Sequence, residues 1–283
     1  MKLKFVGNVF RKRDANVIVF GIPIGKNWKD SLRALRKASL FVEPFENSKN
    51  LLENVRIYDE GNLKLNYVDQ IFEKCLKIVS EQKIPLMLAR CHFPTLYALG
   101  AFDKKTKIIV FDAHLDMKEK YLDEKIKEMN FCKTNEIPNK EFNDATWLRR
   151  FIEYSYNTNI LIVGARAFDE NEMEFLMKNR IKIVSANKIK ENLNKARKIV
   201  ENFSSKNKIY ISLDIDVFDP SLAPAVDHPE PNGINYLEFS KLVDSIKGKI
   251  VGLDLCCFKK IKENEITEFL AIKAIFKILS KIE

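Results

Sequence analysis

Three side chains that commonly bind metal ions follow an apolar segment near the middle of the chain. The segment KIIVF at 107–111 leads directly into Asp112, His114 and Asp116. Alternate residues of an extended strand face the same side, about 6–7 Å apart, so these three side chains can converge on one region. The pattern favours a site at the end of a strand, although a solvated turn is the simpler interpretation of this motif by itself.

Two further apolar segments end in residues of the same kind. KIYISL at 208–213 is followed by Asp214 and Asp216, and IPLMLARC at 84–91 is followed by His92. Each signal is weak by itself, because a single histidine is more often a core residue. The three signals support one another, because ligands bind at the carboxyl edge of an open parallel sheet, where strand ends meet.

The charge of this cluster indicates which ligand it would bind. Four carboxylates buried together are unstable unless cations cancel their charge, and two divalent ions would balance them. Carboxylate and imidazole ligands suit Mn²⁺ and accommodate Zn²⁺, Fe²⁺, Co²⁺ or Ni²⁺, whereas a thiolate site is disfavoured. Two such ions about 3.5–4 Å apart can share one water and generate hydroxide near neutral pH. The sequence therefore predicts a hydrolytic centre with two metal ions.

The apolar pattern predicts the elements that position these residues. Eight short segments are predicted strands: 16–22, 54–59, 84–90, 107–112, 159–165, 181–186, 208–214 and 249–255. Most are continuously apolar, which is typical of parallel strands buried on both faces. Helical periodicity between them, as in 187–203, predicts a three-layer α/β/α sandwich with a central parallel eight-stranded sheet. We expect a single domain over 1–283 and functional loops at about 117–146 and 216–235.

The composition argues against several other classes of protein. The net charge is +9, but the lysines alternate with glutamates along the predicted helices, which favours solvated helix faces over a nucleic-acid surface. No apolar run reaches the ~18–20 residues that span a bilayer, and the N-terminus does not resemble a signal peptide. We therefore expect a cytoplasmic protein with neither a nucleic-acid nor a membrane partner. Free buried thiols are expected at Cys75, Cys91, Cys132, Cys256 and Cys257.

Two segments resemble the metal motifs of the ureohydrolase family, which includes arginase, agmatinase and formiminoglutamase. They are FDAHLD at 111–116 and SLDIDVFDPSLAPAVDHPEP at 212–231. The likeness extends over most of the chain, through segments at 19–25, 57–63, 161–189 and 249–255. It implies the arginase-like fold, two divalent metal ions, most often Mn²⁺, and a homo-oligomer, either a trimer or a hexamer.

The resemblance also implies a role for each ligand. His92, Asp112, Asp116 and Asp214 would surround one ion, and Asp112, His114, Asp214 and Asp216 would surround the other. Asp112 and Asp214 would bridge the two ions. Asp116 would also orient the bridging hydroxide for attack. All six residue types match the family, and they are the same six that spacing and charge indicate.

The chain departs from the family beside the first ligand and in the following loop. Arg90 stands where the family has a small residue before His92; we expect it to pair with a nearby acid rather than to bind an anionic group. Asp144 stands at the position of a family histidine that binds substrate or transfers protons. Asp144 could protonate a leaving amine, but we favour the interpretation that it is the N-cap of the following helix.

The residues at the substrate-binding positions differ from the family pattern more strongly. Cys257 occupies the position of the family glutamate that binds the guanidinium group of the substrate. A guanidinium prefers a bidentate carboxylate, and losing that partner would cost about 2–4 kcal/mol. Asp227 and His228 replace small residues beside the cleft. Either could replace the lost function, although we favour solvated loop positions for both.

Three functions remain compatible with this pattern. A metal-dependent hydrolase of a non-peptide C–N bond is favoured, acting on a guanidino, amide or amidine compound, with agmatine as the leading named substrate. A catalytically silent metal-binding protein with a regulatory or structural role is the alternative. A basic nucleic-acid-binding protein is disfavoured by the dispersed lysines. The substitution Cys257→Glu is predicted to improve binding of guanidino compounds.

Overall fold

A central sheet of eight parallel strands dominates the computed structural model of the chain, which describes residues 3–46, 49–121, 139–262 and 264–282. This confirms the predicted three-layer α/β/α sandwich with a central parallel eight-stranded sheet. The strands are β1 (Val17–Gly21), β4 (Ile57–Asn62), β5 (Ile84–Leu88), β6 (Lys107–Phe111), β7 (Ile160–Val163), β8 (Lys182–Val184), β9 (Lys208–Asp214) and β10 (Lys249–Cys256). A separate short hairpin contains β2 (Phe45–Glu46) and β3 (Lys49–Asn50).

Helices cover both faces of this sheet. On one face lie α1 (Trp28–Ala38), α6 (Ala186–Glu191), α7 (Leu193–Ser204), α8 (Tyr236–Asp244) and α9 (Ile266–Leu279). On the other lie α2 (Asp69–Ser80), α3 (Pro94–Leu99), α4 (Trp147–Ser155) and α5 (Glu170–Lys178). Val17 and Val19 of β1 pack into the first core, whereas Ile18 and Phe20 pack into the second. Successive residues of the strand therefore face different cores, and all of them need to be apolar. This explains the continuous apolar runs.

The strand order places the predicted ligands together. The order across the sheet is β4-β1-β5-β10-β9-β6-β7-β8, so β5, β10, β9 and β6 are consecutive. His92 follows β5, Asp112 follows β6, and Asp214 ends β9. Because the strands are parallel, their carboxyl ends lie at one edge, and β10 brings Cys257 to the same edge between β5 and β9.

A few local predictions differ from the structure. The segment 187–203 belongs to two helices, because Asn192 has an extended φ of −154° and its side chain accepts from Lys195 N at the start of α7. Cys75, Cys91 and Cys256 are free and buried, whereas Cys257 is half-buried. Cys132 and part of the predicted loop at 117–146 lie outside the described residues. Among those residues, no helix is long and apolar enough to cross a membrane.

A buried ion pair joins α1 to the edge of the sheet. Asp59 on β4 and Arg36 on α1 are buried, and Arg36 Nε donates to Asp59 Oδ2 at 2.6 Å. The two carboxylate oxygens also accept from Arg36 Nη2, from Phe5 N at 2.8 Å and from Gly61 N at 2.7 Å. The charge of Asp59 is therefore balanced by protein groups alone.

Candidate metal centre

Three carboxylates surround one ring nitrogen of His92. The Nδ1 atom of this fully buried histidine lies 3.2 Å from Asp112 Oδ2, 3.2 Å from Asp214 Oδ2 and 3.3 Å from Asp116 Oδ2. The ligand atoms of His92, Asp112 and Asp116 lie within 4.8 Å of one another and could hold one ion, and Asp214 forms a second such group with His92 and Cys257. The structure thus brings together the four residues predicted to surround the first ion.

A second group lies beside the first. His114 Nδ1 is 3.0 Å from Asp216 Oδ2 and 3.5 Å from Asp112 Oδ1. Asp112 therefore directs one oxygen towards each histidine, as a bridging ligand would. Asp214 is oriented locally, since its Oδ1 accepts from Asp216 N at 2.9 Å while its Oδ2 faces His92. All six predicted ligands lie at this edge of the sheet.

A hydrogen-bond chain fixes the proton position on His92. Asp254 Oδ1 can only accept, so the Ser212 hydroxyl, 2.8 Å away, donates to it. Ser212 Oγ must then accept from His92 Nε2, also at 2.8 Å, which places the proton on Nε2. Burial lowers the pKa of His92, but neighbouring acidic groups, among them Asp112, Asp116 and Asp214, outweigh it and hold that pKa well above its ordinary value when no ion is bound. The Nδ1 atom itself faces these three carboxylates and has no hydrogen-bond partner among the described residues. A ring nitrogen held this way is typical of a metal ligand.

Trp147 positions Asp116 and was missed by sequence reasoning. The buried indole Nε1 donates to Asp116 Oδ2 at 2.7 Å, and the ring lies 4.5 Å from the His92 ring. The backbone carbonyl of Asp116 also accepts from Leu148 N and Arg149 N at the start of α4. These contacts hold Asp116 in the left-handed region, at a φ of +52°. In the sequence, Trp147 is indistinguishable from an apolar core residue of its helix.

The protein groups alone leave the acids crowded. Burial and the neighbouring charge of Asp112 raise the pKa of Asp116 to about 7. Burial, together with the charges of Asp216 and Asp112, raises the pKa of Asp214 well above its ordinary value. Burial lowers the pKa of His114, but the charge of Asp216 and contacts with Asp112 outweigh it and raise that pKa to about 12. A site of this kind fits divalent cations, because positive charge relieves the repulsion.

Asp144 does not have the role that we favoured. Asn143 is the cap of the turn before α4, since its side chain accepts from Ala145 N and its backbone N donates to Thr146 Oγ1. Asp144 Oδ1 instead accepts from the backbone N–H groups of His92 and Phe93, at 2.8 and 3.0 Å. The N-cap interpretation is therefore wrong. Asp144 lies in the cleft wall, supports the loop that carries His92, and burial raises its pKa.

Arg90 and Asp227 form an ion pair in the same cleft. Arg90 Nη2 donates to Asp227 Oδ2, and Lys259 Nζ is 2.9 Å from Asp227 Oδ1. The predicted pairing of Arg90 with an acid is thus confirmed, whereas the solvated-loop interpretation of Asp227 is wrong. His228 is exposed, and its ring lies 6.2 Å from the ring of His114.

Cys257 lines the cleft beside two of the predicted ligands. Its sulfur is within 4.8 Å of possible ligand atoms of His92 and Asp214. Burial raises the pKa of the thiol well above its ordinary value, so the side chain is neutral near pH 7 in the metal-free protein. The cleft has a volume of about 400 Å³ and is lined by these residues together with Lys118, Asp169, Glu172 and Glu230.

The chain combines an α/β/α sandwich with a carboxylate–histidine cluster at the carboxyl edge of its sheet, and comparison with known proteins identifies the family. The arginase family model matches residues 15–280. The chain belongs to the arginase family.

Individual relatives are distant. An agmatinase of Pyrococcus horikoshii is 24% identical over 283 residues, covering 94% of this chain and 92% of its own. An uncharacterized 32.2 kDa protein of Methanothermus fervidus is 28% identical over 229 residues, covering 78% and 74%. The crystal structure of agmatine ureohydrolase of Thermoplasma volcanium matches with a TM-score of 0.83 and 27% identity, over 99% of this chain and 94% of that one.

Proposed function

We propose that this protein is a hydrolase of a non-peptide C–N bond that uses two divalent metal ions, with Mn²⁺ favoured by the ligand chemistry. The observation that supports this most strongly is the buried Nδ1 atom of His92, surrounded by three carboxylate oxygens at 3.2–3.3 Å and lacking a hydrogen-bond partner among the described residues. His92, Asp112, Asp116 and Asp214 would hold one ion. The other would be held by Asp112, His114, Asp214 and Asp216.

The residues of the chain have separate tasks in the proposed reaction. When bound, the two ions supply a hydroxide nucleophile near neutral pH. Asp116, held by the indole N–H of Trp147, would orient the attacking water towards a trigonal carbon of the substrate. Asp144 lies in the cleft wall with a raised pKa, so it can carry the proton that the leaving amine requires. Two backbone N–H groups hold its carboxyl group in place.

Metal content tests the first part of the proposal. Elemental analysis of purified protein after loading with Mn²⁺ should give two ions per chain. His114→Gln should retain no more than one, His92→Gln should lose at least the ion beside Asp116, and His228→Gln should retain both. The His228 variant is a matched control, because this exposed histidine lies outside the proposed ligand set. Wild-type protein without bound metal would contradict the proposal.

Turnover tests the second part. Agmatine is the first compound to assay, because relatives carry the names agmatinase and agmatine ureohydrolase. Release of urea by metal-loaded protein would establish that activity, and a blank assay would remove agmatine as the substrate. A panel of amides and amidines then separates a hydrolase from the silent metal-binding alternative, since one hydrolysed compound excludes the latter. We also propose a homo-oligomer, which sedimentation of the same samples would measure.

A further inference from the structure

Two sulfur atoms lie near the ring of His92, because β10 carries two cysteines to the same edge of the sheet. Cys256 ends β10, where it pairs in register with Asp214 of β9, and Cys257 follows it. Each sulfur belongs to a separate group of possible ligand atoms that lie within 4.8 Å of one another. One group contains His92, Asp254 and Cys256, and the other contains His92, Asp214 and Cys257. The contacts of the two groups indicate which one could hold an ion.

The group around Cys256 is satisfied by protein atoms. Asp254 accepts from the hydroxyl groups of Tyr210 at 2.6 Å and Ser212 at 2.8 Å, and Cys256 Sγ donates to Asp254 Oδ1 at 3.3 Å. The Nε2 atom of His92 donates to Ser212. Cys256 is fully buried and does not line the cleft. We therefore assign this group to the protein core.

The group around Cys257 differs in each of these respects. Asp214 Oδ2 lies 3.2 Å from the Nδ1 atom of His92. This Nδ1 atom belongs to a fully buried side chain and has no hydrogen-bond partner among the described residues. All three residues of the group line the cleft. An ion that enters the cleft would therefore meet the sulfur together with a carboxylate oxygen and an unpartnered ring nitrogen.

The backbone of Cys257 is strained in the same way as that of Asp116. Cys257 has a φ of +64°, in the left-handed region that residues with a Cβ atom rarely adopt. Asp116, one of the proposed ligands, has a φ of +52°. Such conformations persist only where the surrounding structure holds them, and they cluster at functional sites. The strain at Cys257 therefore agrees with a side chain whose position in the cleft is fixed.

We propose that Cys257 is a sulfur ligand of the ion beside His92, in addition to the ligands already assigned to that ion. The inference rests on the proposed two-metal function and deepens it by setting the metal preference of one position. When an ion binds, the thiol proton passes to solvent and the sulfur binds as thiolate. Carboxylate and imidazole ligands by themselves suit Mn²⁺, whereas a soft thiolate favours Zn²⁺. The position beside His92 therefore prefers Zn²⁺, while the position beside His114 keeps the harder ligand set.

X-ray absorption at the zinc edge tests the proposal on the wild-type chain. The full-length protein is loaded with two Zn²⁺ ions, and the atoms bound to zinc are identified from the spectrum. We expect one sulfur neighbour at about 2.3 Å for every two zinc ions. A protein that carries two zinc ions with only nitrogen and oxygen neighbours would overturn the proposal. This measurement does not depend on the folding of any variant.

Two variants assign the sulfur to one cysteine. Cys257→Ser removes the soft atom and nearly keeps its size, so the sulfur neighbour should disappear. Affinity for Zn²⁺, measured by competition with a chelator, should fall about tenfold or more, and affinity for Mn²⁺ should change much less. Cys256→Ser is the matched control and should keep both the sulfur neighbour and the affinity for Zn²⁺. A sulfur neighbour that persists in Cys257→Ser would refute the assignment, as would its loss in Cys256→Ser.

Metal analysis of the same samples separates this proposal from the proposed function. Protein that binds neither Zn²⁺ nor Mn²⁺ contradicts the proposed function itself. Protein that carries two ions without a sulfur neighbour contradicts only the role of Cys257.

Discussion

Two groups of buried charges differ in how they are balanced, one in the middle of the edge strand β4 and one at the carboxyl edge of the sheet. Asp59, at β4, meets a buried arginine and two backbone N–H groups, and the protein satisfies it completely. The cluster around His92 brings four aspartates together with two histidines, and the Nδ1 atom of His92 has no hydrogen-bond partner among the described residues. The first group is a structural ion pair, whereas the second keeps crowded acids, which is the reason that we propose a metal site there.

This difference teaches that burial of acids does not by itself identify a metal site. A buried pair with excellent geometry is complete within the protein and becomes costly only when one partner is removed. A group of unbalanced carboxylates raises its own pKa values, as Asp116 and Asp214 do. The two regions should therefore respond in opposite ways to loss of charge and to metal.

The largest effect is expected at the satisfied pair. Arg36→Met leaves Asp59 buried without its cation, so the free energy of unfolding should fall by about 3–5 kcal/mol. Chemical denaturation would measure it, and the loss should be the same with and without metal. Lys37→Met is the adjacent control, because its 3.2 Å pair with Glu265 is exposed and should contribute less than about 1 kcal/mol. If the loss of unfolding free energy in Arg36→Met depended on metal, the proposed difference between the two regions would be contradicted.

Asp214→Asn should show the opposite behaviour. It removes one negative charge from the crowded cluster while its side-chain oxygen can still accept from Asp216 N. We expect the metal-free protein to be at least as stable as wild type. The stabilisation by metal, about 2.7 kcal/mol at a hundredfold excess of free ion over Kd, should disappear. Melting curves with and without Mn²⁺ measure both quantities, and a strongly destabilised metal-free variant would refute the idea of charge crowding.

Trp147→Phe tests how firmly Asp116 must be held. The change keeps an aromatic ring beside His92 and removes the N–H donor, and a hydrogen bond to a charged group contributes about 1.5–3 kcal/mol. We expect affinity for the ion beside His92 to fall roughly ten- to hundredfold, measured by competition with a chelator. Trp28→Phe is the matched control and should leave the affinity unchanged. If Trp147→Phe and Trp28→Phe bound the ion beside His92 with equal affinity, Trp147 would contribute packing only.

The smallest effect on the site is expected from Ser212→Ala. It interrupts the chain between His92 and Asp254, so the Nε2 proton is no longer fixed, and metal affinity should fall about tenfold. Nitrogen NMR of the metal-free protein should show a shifted signal for His92 Nε2, because its N–H group loses the acceptor that Ser212 provides. Ser204→Ala provides the comparison, because Ser204 is equally buried but donates to the carbonyl of Val200 in a helix. An unchanged Nε2 signal in Ser212→Ala would rule out the proposed chain.

The convergence of the six predicted ligands follows from local pattern. Parallel strands need apolar residues on both faces, so their ends are recognisable, and parallel ends must meet at one edge. The sequence is therefore sufficient to predict that His92, Asp112 and Asp214 lie at strand ends on one edge of the sheet. Which ligands face one another required the strand order, in which β10 lies between β5 and β9.

The remaining features depend on partners far away in the chain. Asn143 and Asp144 are both residue types that cap helices. Asp144 instead accepts a hydrogen bond from the backbone N of His92, which lies 52 residues earlier in the chain. Asp227 looked like a loop residue because Arg90 lies 137 residues before it. Trp147 looked like a core residue because its indole N–H meets Asp116, 31 residues away. No local pattern encodes such contacts.

The contact between Trp147 and His92 gives this protein an internal optical reporter. The chain has only two tryptophans, and the ring of Trp147 is 4.5 Å from that of His92. A paramagnetic ion at this histidine quenches the emission of an indole so close to it, whereas the half-buried Trp28 on α1 can be removed by Trp28→Phe. Titration of that variant with Mn²⁺ would follow filling of the site directly in solution, without substrate and without knowledge of the reaction.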